Sequence, residues 1–118
     1  MILLSTLIAL TLHAEALPTQ SAAFFLVATT PTLIPNAGGS QGNLCVGGVV
    51  GRGVGGIRNS GTTGTVDVTA DLTAMPSPSG LFAITAGSTF NFQCWFRDSV
   101  GGLATSNLTD AVQVRFRP

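Results

Sequence analysis

The sequence predicts an all-β chain folded as a single antiparallel β-sandwich, Ig-like or jelly-roll-like, over residues 1–118. Three observations carry that prediction. Short apolar stretches recur between clusters of Gly, Pro, Ser and Asn, the spacing of strands and turns. Several of those stretches alternate apolar and polar residues, as a half-buried strand requires. Beyond Pro18 no stretch shows the 3.6-residue repeat of an amphipathic helix.

The N-terminal segment, residues 1–16, has two readings. Met1–Leu12 (MILLSTLIALTL) resembles the apolar region of a secretory signal, and Ala14-Glu15-Ala16 supplies an A-x-A cleavage pattern. No Lys or Arg precedes that run, however. Residues 9–16 also alternate strictly, with Leu10, Leu12, Ala14 and Ala16 on one side and Ala9, Thr11, His13 and Glu15 on the other. Period two is the more specific signal, so a first strand is favoured over a leader. Both readings place the protein outside the cytoplasm.

Further along, Ala23–Thr29 (AFFLVAT) is a continuous apolar run, expected of a central strand buried on both faces. Pro31, Pro35 and Asn36-Ala37-Gly38-Gly39 are expected to end it in a loop. Asn43–Val50 reads as a strand with a bulge at Gly47-Gly48. The six glycines of Gly51–Gly64 read as a wide, mobile connection. Gly64–Leu72 alternates, with Val66, Val68, Ala70 and Leu72 inward and Asp67, Thr69 and Asp71 outward. Met75-Pro76-Ser77-Pro78-Ser79-Gly80 is a turn, because proline cannot donate a ladder hydrogen bond. Leu81–Thr85, Ser88–Arg97 and Asp110–Arg117 complete the set. In the last, Val112, Val114 and Phe116 face in while Gln113, Arg115 and Arg117 face out.

Composition narrows the function classes. Five Arg, no Lys and five acids leave a net charge of zero. A nucleic-acid partner needs a basic stripe to displace counterions, and an electrostatic membrane anchor needs the same, so neither is expected. No apolar run reaches the roughly 20 residues of a spanning helix, so no membrane span is expected. Only 8% of residues are charged, against about a quarter in an average soluble domain, and Gly, Ser and Thr abound. That profile suits a secreted or surface-attached β protein.

The residues available for chemistry are few. Gly51-Arg52-Gly53-Val54-Gly55-Gly56 matches G-x-G-x-x-G, but Ile57-Arg58-Asn59-Ser60-Gly61 cannot supply the helix a dinucleotide needs, so it reads as a flexible loop. Nucleophilic catalysis needs a base beside the nucleophile, and the chain has one His and no Lys. Asp67 and Asp71, with Thr69, offer too few oxygens for a Ca²⁺ cage, and outward strand positions explain them as a wet face. The expectation is a protein that is not an enzyme, with no metal and no cofactor.

Cys45 and Cys94 admit two readings. A disulfide is natural in an extracellular chain; it would close a loop of about 50 residues and stabilise by roughly 4 kcal/mol. Two separate buried thiols are the other, since spacing alone does not bring two Cα atoms within reach.

The most informative stretch is Ser88–Arg97. It sets Phe90, Phe92, Cys94 and Phe96 on one face and Asn91, Gln93, Trp95 and Arg97 on the other. The second face can be read as a glycan platform: an indole for sugar faces, flanked by hydrogen-bonding side chains. The favoured reading is a structural polar clasp of Arg97, Asp98, Asn107, Thr109 and Asp110, since a polar face beside a single Trp is commonly a satisfied buried network. In that reading Trp95 packs beneath a loop, with Arg97 stacked on it or paired with Asp98 or Asp110. Asn107-Leu108-Thr109 matches a glycosylation sequon, and a side-chain-capped turn into the last strand explains it as well.

Phe24-Phe25-Leu26-Val27, Pro35–Cys45 (PNAGGSQGNLC), Gly51-Arg52, Asn59-Ser60-Gly61, Gln93-x-Trp95-Phe96-Arg97-Asp98 and Ser106–Ala111 (SNLTDA) together resemble a C-terminal module of large secreted proteins of planctomycetes and related marine bacteria. The resemblance spans about Leu10 to Phe116. It implies a β-rich, uncharacterised terminal module preceded by a long chain, with no catalytic or ligand residues to carry over. Two departures stand out. This sequence starts at Met1, as a fragment or reduced copy would, and it has Cys at 94 where the family usually has a small non-cysteine residue. The expected role is a non-catalytic structural, attachment or sorting module of an extracellular or cell-surface protein. Its partners would be upstream domains of a parent protein or cell-surface components. The alternative is a glycan-binding module, with a polysaccharide ligand on Asn91, Gln93, Trp95 and Arg97.

Overall fold

A computed structural model of the chain describes residues 2–4 and 9–116. Eight strands follow in order: β1 Ile2–Leu4, β2 Ala9–Ala14, β3 Ala22–Pro35, β4 Asn43–Asn59, β5 Val66–Asp71, β6 Thr89–Val100, β7 Leu103–Leu108 and β8 Val112–Phe116. The single helical turn among the described residues is a 3-10 turn at Ala37–Gly39. The strands form two packed sheets, so the chain is an all-β sandwich.

The sheets are unequal. The larger runs β1-β8-β6-β3-β4, with β7 also on β6, and the smaller is the pair β2-β5. All pairings are antiparallel except β1 with β8. Strand β6 is the hub. One flank carries β3, from Ala28↔Asn91 to Ala23↔Phe96. The other carries β8 opposite Thr89–Phe92 and then β7 opposite Trp95–Val100, end to end.

The small sheet follows directly from alternation. Leu10, Leu12 and Ala14 of β2 and Val66, Val68 and Ala70 of β5 are buried, while Thr11, His13, Asp67, Thr69 and Asp71 face solvent. The buried set meets Phe25, Val27, Val54, Phe92, Cys94, Phe96, Val114 and Phe116 of the large sheet in one apolar core. Ala16 departs from the expected inward set: with φ at 59° it has left the strand and lies exposed. Residues 9–14 therefore form the expected strand. Met1 and residues 5–8 of the signal-like stretch lie outside the described residues, as does Arg117.

Four further expectations need correction. Strand β3 does not end at Pro31 but runs to Pro35. Beyond Ala28 it pairs only with β4, so Pro31 meets a single neighbour strand, a position where a missing N–H is tolerated. Gly51–Asn59 is not a mobile connection but the second half of β4. Gly53, Gly55 and Gly56 take positive φ there, and the pairing with β3 shifts register beside them. Gly55 also lies so close to Val68 of β5 that a Cβ would collide with it. Leu81–Thr85 is not a strand; Phe82 makes one isolated bridge to Met75, closing the proline-rich turn with two backbone bonds of 2.7 and 2.9 Å. Val112, expected inside, is 41% exposed. The expected bulge at Gly47-Gly48 is present, as a register shift between Ala28↔Val50 and Thr30↔Gly47.

Strand β7 is an element the alternation did not announce. Its sequence, LATSNL, has no buried apolar face, and none of its residues is fully buried. Its definition comes from pairing to β6.

Candidate functional site

The site is built on the face of the large sheet that points away from the core. Alternation along β6 sends Phe92, Cys94 and Phe96 to the core and Asn91, Gln93, Trp95 and Arg97 to this outer face. On β3 the same rule exposes Phe24, Leu26 and Ala28 to it. An open face carrying those apolar side chains would be costly in water. It is covered by the chain itself.

The cover is the β3–β4 hairpin. Its bulges bend the pair so that Leu44, Val46 and Val50 pack with Leu26 and Ala28 in a second, smaller apolar cluster. The hairpin end is bolted to β7. The Gln41 backbone N–H donates to the Ser106 carbonyl at 2.8 Å, and Ser40 Oγ donates to the same oxygen at 3.1 Å. Asn36 Nδ2 holds the turn closed on the Ser40 carbonyl at 3.0 Å. Gly42 lies against Asn107 and Leu108 so tightly that no Cβ would fit.

Gln93 locks the arrangement from below. It is 1% exposed, and every polar atom of its amide is used. Its Oε1 accepts from the Cys45 backbone N–H at 2.9 Å; its Nε2 donates to the carbonyls of Asn43, at 2.9 Å, and Thr109, at 2.6 Å. Thr109 in turn fills the gap between β7 and β8. Its backbone N–H donates to the Cys94 carbonyl at 2.9 Å, and its Oγ1 accepts from the Cys94 N–H at 3.1 Å. One glutamine thus ties β4, β6 and the β7–β8 junction together.

The predicted clasp is therefore only partly assembled from the predicted residues. Asp98 and Asn107 do meet, Asn107 Nδ2 donating to Asp98 Oδ2 at 3.2 Å. Asp110 contributes its backbone carbonyl, which accepts from Thr109 Oγ1. Arg97 takes the stacking alternative, its guanidinium over the Trp95 ring; it is exposed and, among the described residues, paired with no acid. Consecutive strand residues point to opposite faces, so Arg97 and Asp98 cannot pair across β6. Gln93, read as a ligand contact, is structural. Asn91 is 4% exposed and accepts from Gln113 Nε2 at 3.1 Å, while its own Nδ2 finds no partner among the described residues. It lies outside the residues that line the cleft.

What remains on the outer face is a cleft of about 600 Å³ beneath the hairpin end. Phe24, Leu26, Leu44, Trp95 and Leu108 form its apolar walls, Ala37 and Gly38 its rim, and Arg52, Arg97 and Ser106 its polar groups. Trp95 is half-buried and stacks on Phe24, with centroids 4.8 Å apart and planes 25° from parallel. The Arg97 guanidinium lies 5.0 Å from the indole centroid. No acid lines the cleft.

The cysteines are free and do not form the bridge considered from the sequence. Cys94 faces the apolar core, where burial pushes its thiol up to about 11. Cys45 is held by its backbone to Gln93, which points to the opposite face. The sheet separates them. Elsewhere, His13 and Asp67 are cross-strand partners on the small sheet, with Nδ1 donating to Oδ1 at 2.5 Å and Glu15 at 3.7 Å from Nε2. The Asp67 hydrogen bond raises the His13 pKa above its ordinary value. Asp71 is taken by Thr73 through its N–H and hydroxyl, which lowers its pKa. Among the described residues no group of three or more His, Cys, Asp or Glu converges as a metal site would require. No helix among them is long and apolar enough to cross a membrane.

Comparison of the chain with protein-family models, with curated proteins and with solved structures gave no match.

Proposed function

We propose that this chain is a non-catalytic attachment module of an extracellular or cell-surface protein, and that its outer-face cleft is where it attaches to polysaccharide. The observation that carries this reading is the placement of the sole tryptophan. Trp95 is neither sealed in the core nor isolated on the surface, but set in the wall of a formed cleft beside Phe24 and two arginines. Clefts with aromatic walls and a few convergent polar groups are the usual architecture of small-ligand and sugar sites. The titratable groups support a binding role over catalysis. The one His is committed to a surface pair on the small sheet, and the Cys94 thiol is buried and held protonated. The resemblance to terminal modules of large secreted proteins is consistent with attachment.

Because Trp95 is the single tryptophan, its emission reports the cleft alone. Titration with a panel of neutral and acidic polysaccharides is expected to shift that emission saturably. An indole that no polysaccharide perturbs would leave only the structural half of the proposal.

A further inference from the structure

Resting on the attachment reading above, we infer that the cleft selects an acidic polysaccharide, with Arg97 and Arg52 taking acid groups on separate sugar units. The argument starts from the indole. Phe24 stacks on it, and the Arg97 guanidinium lies over it at 5.0 Å. Both groups crowd the indole, which leaves less of it for the flat stacking that neutral sugars use. What the cleft offers is the guanidinium itself.

Cation–π contact draws that group to the indole, and its N–H donors offer the fork that matches a carboxylate or sulfate. Among the described residues none of those donors meets a protein acceptor, and no carboxylate lines the cleft to neutralise it. An exposed arginine held in place without a counter-charge is an anion site waiting for its anion. Arg52 repeats the charge at the other end. It sits opposite Leu26, and Leu26 opposite Gln93, while Arg97 is four residues further along β6. The two backbone positions are therefore set ~13 Å apart along the strands and ~10 Å across them. That spacing suits a ligand carrying repeated acid groups along its length.

A sugar acid fits better than an acidic peptide. Strand addition would need unpaired backbone at a sheet edge, and an acidic peptide read by arginines alone is the outcome that the poly-glutamate gel below tests. The cleft instead presents aromatic, aliphatic and guanidinium side chains on a sheet face, with Phe24 and Leu108 available to the apolar edges of sugar rings.

Affinity electrophoresis of the intact chain tests this with polygalacturonate, dextran sulfate, neutral dextran and poly-glutamate in separate gels. Retardation by polygalacturonate or dextran sulfate is expected. It should weaken about tenfold or more in Arg97→Gln and in Arg52→Gln, the scale of a lost charge-assisted hydrogen bond. Arg115→Gln removes the same charge outside the cleft and should leave the retardation unchanged. Both cleft arginines are exposed, and circular dichroism of each variant checks that the fold is kept. Equal retardation by neutral dextran, or indifference to both cleft variants, would overturn acid selectivity while leaving polysaccharide attachment standing. Equal loss in Arg115→Gln would reduce the effect to net charge. Equal retardation by poly-glutamate would make the ligand an acidic peptide. Retardation by none of the polysaccharides would remove the attachment reading as well.

Discussion

The pairs β2–β5 and β3–β4 are both antiparallel, yet they are built on opposite principles. In β2–β5 six consecutive residue pairs run in register without interruption, and every second side chain is buried. In β3–β4 the register shifts four times, glycines take positive φ, and the longer strand carries exposed apolar residues such as Ile57 and Val49. The regular pair can do one thing, which is to close one side of the core. The irregular pair does two. Its inner residues, Phe25, Val27 and Val54, join that core, while its bent end covers the opposite face of the sheet and shapes the cleft. Regularity gives a lid; irregularity gives a site.

Substitutions can break this contrast from either side. Leu12→Ala in β2 should act globally, because it empties a buried position in the shared core; the expected loss is about 2–5 kcal/mol in denaturant unfolding. A loss well below that range would mean the small sheet is not integral to the core. Gln93→Leu should act locally, since it strands the Cys45 N–H and two carbonyls, each at up to about 1–3 kcal/mol where no water replaces the lost partner. Hydrogen exchange should then quicken at Gln41 and Cys45 while β2 and β5 stay protected. Uniform loss of protection would show that the hairpin end and the core open together.

The smallest effect is electrostatic. His13 gains its hydrogen bond to Asp67 only in the folded chain, and its pKa is raised there. Stabilisation by a group so shifted is full below the unfolded value and is lost as pH rises through the folded one. Thermal midpoints of the native chain and His13→Gln should therefore differ in acid and converge on moving to alkaline pH. A difference that does not change with pH would assign His13 no such linkage.

What the sequence revealed follows the same divide. Strands β2 and β5 were legible because each buries one face, so burial writes a period of two into the residues; β6 shows the same period because its core face is apolar and its other face polar. Strand β4 beyond Val50 was misread as a loop because its glycines serve bulges and close approach to Val68, and those needs look like flexibility when read one residue at a time. Strand β7 is not announced by alternation because none of its residues is fully buried, and its place is set chiefly by backbone pairing to β6. Trp95 and Arg97 were legible as a pair on one face, since two-residue spacing is local. Their cleft neighbours were not, because long-range strand pairing sets Phe24 opposite Trp95, Ser106 opposite Arg97 and Arg52 across β3, and the hairpin end adds Leu44. The disulfide was undecidable from spacing: which side of a sheet each cysteine occupies depends on that same bend.

The bulges in β4 also bear on how copies of the chain behave toward one another. Strand β4 forms an edge of the large sheet, and an edge 17 residues long is a ready template for a neighbouring strand. A chain with zero net charge and few charges overall has little repulsion to keep its copies apart. Gly53, Gly55 and Gly56 break that edge into short, twisted pieces that no flat strand can follow. Where charges are this scarce, backbone shape is what shields the edge from strand addition.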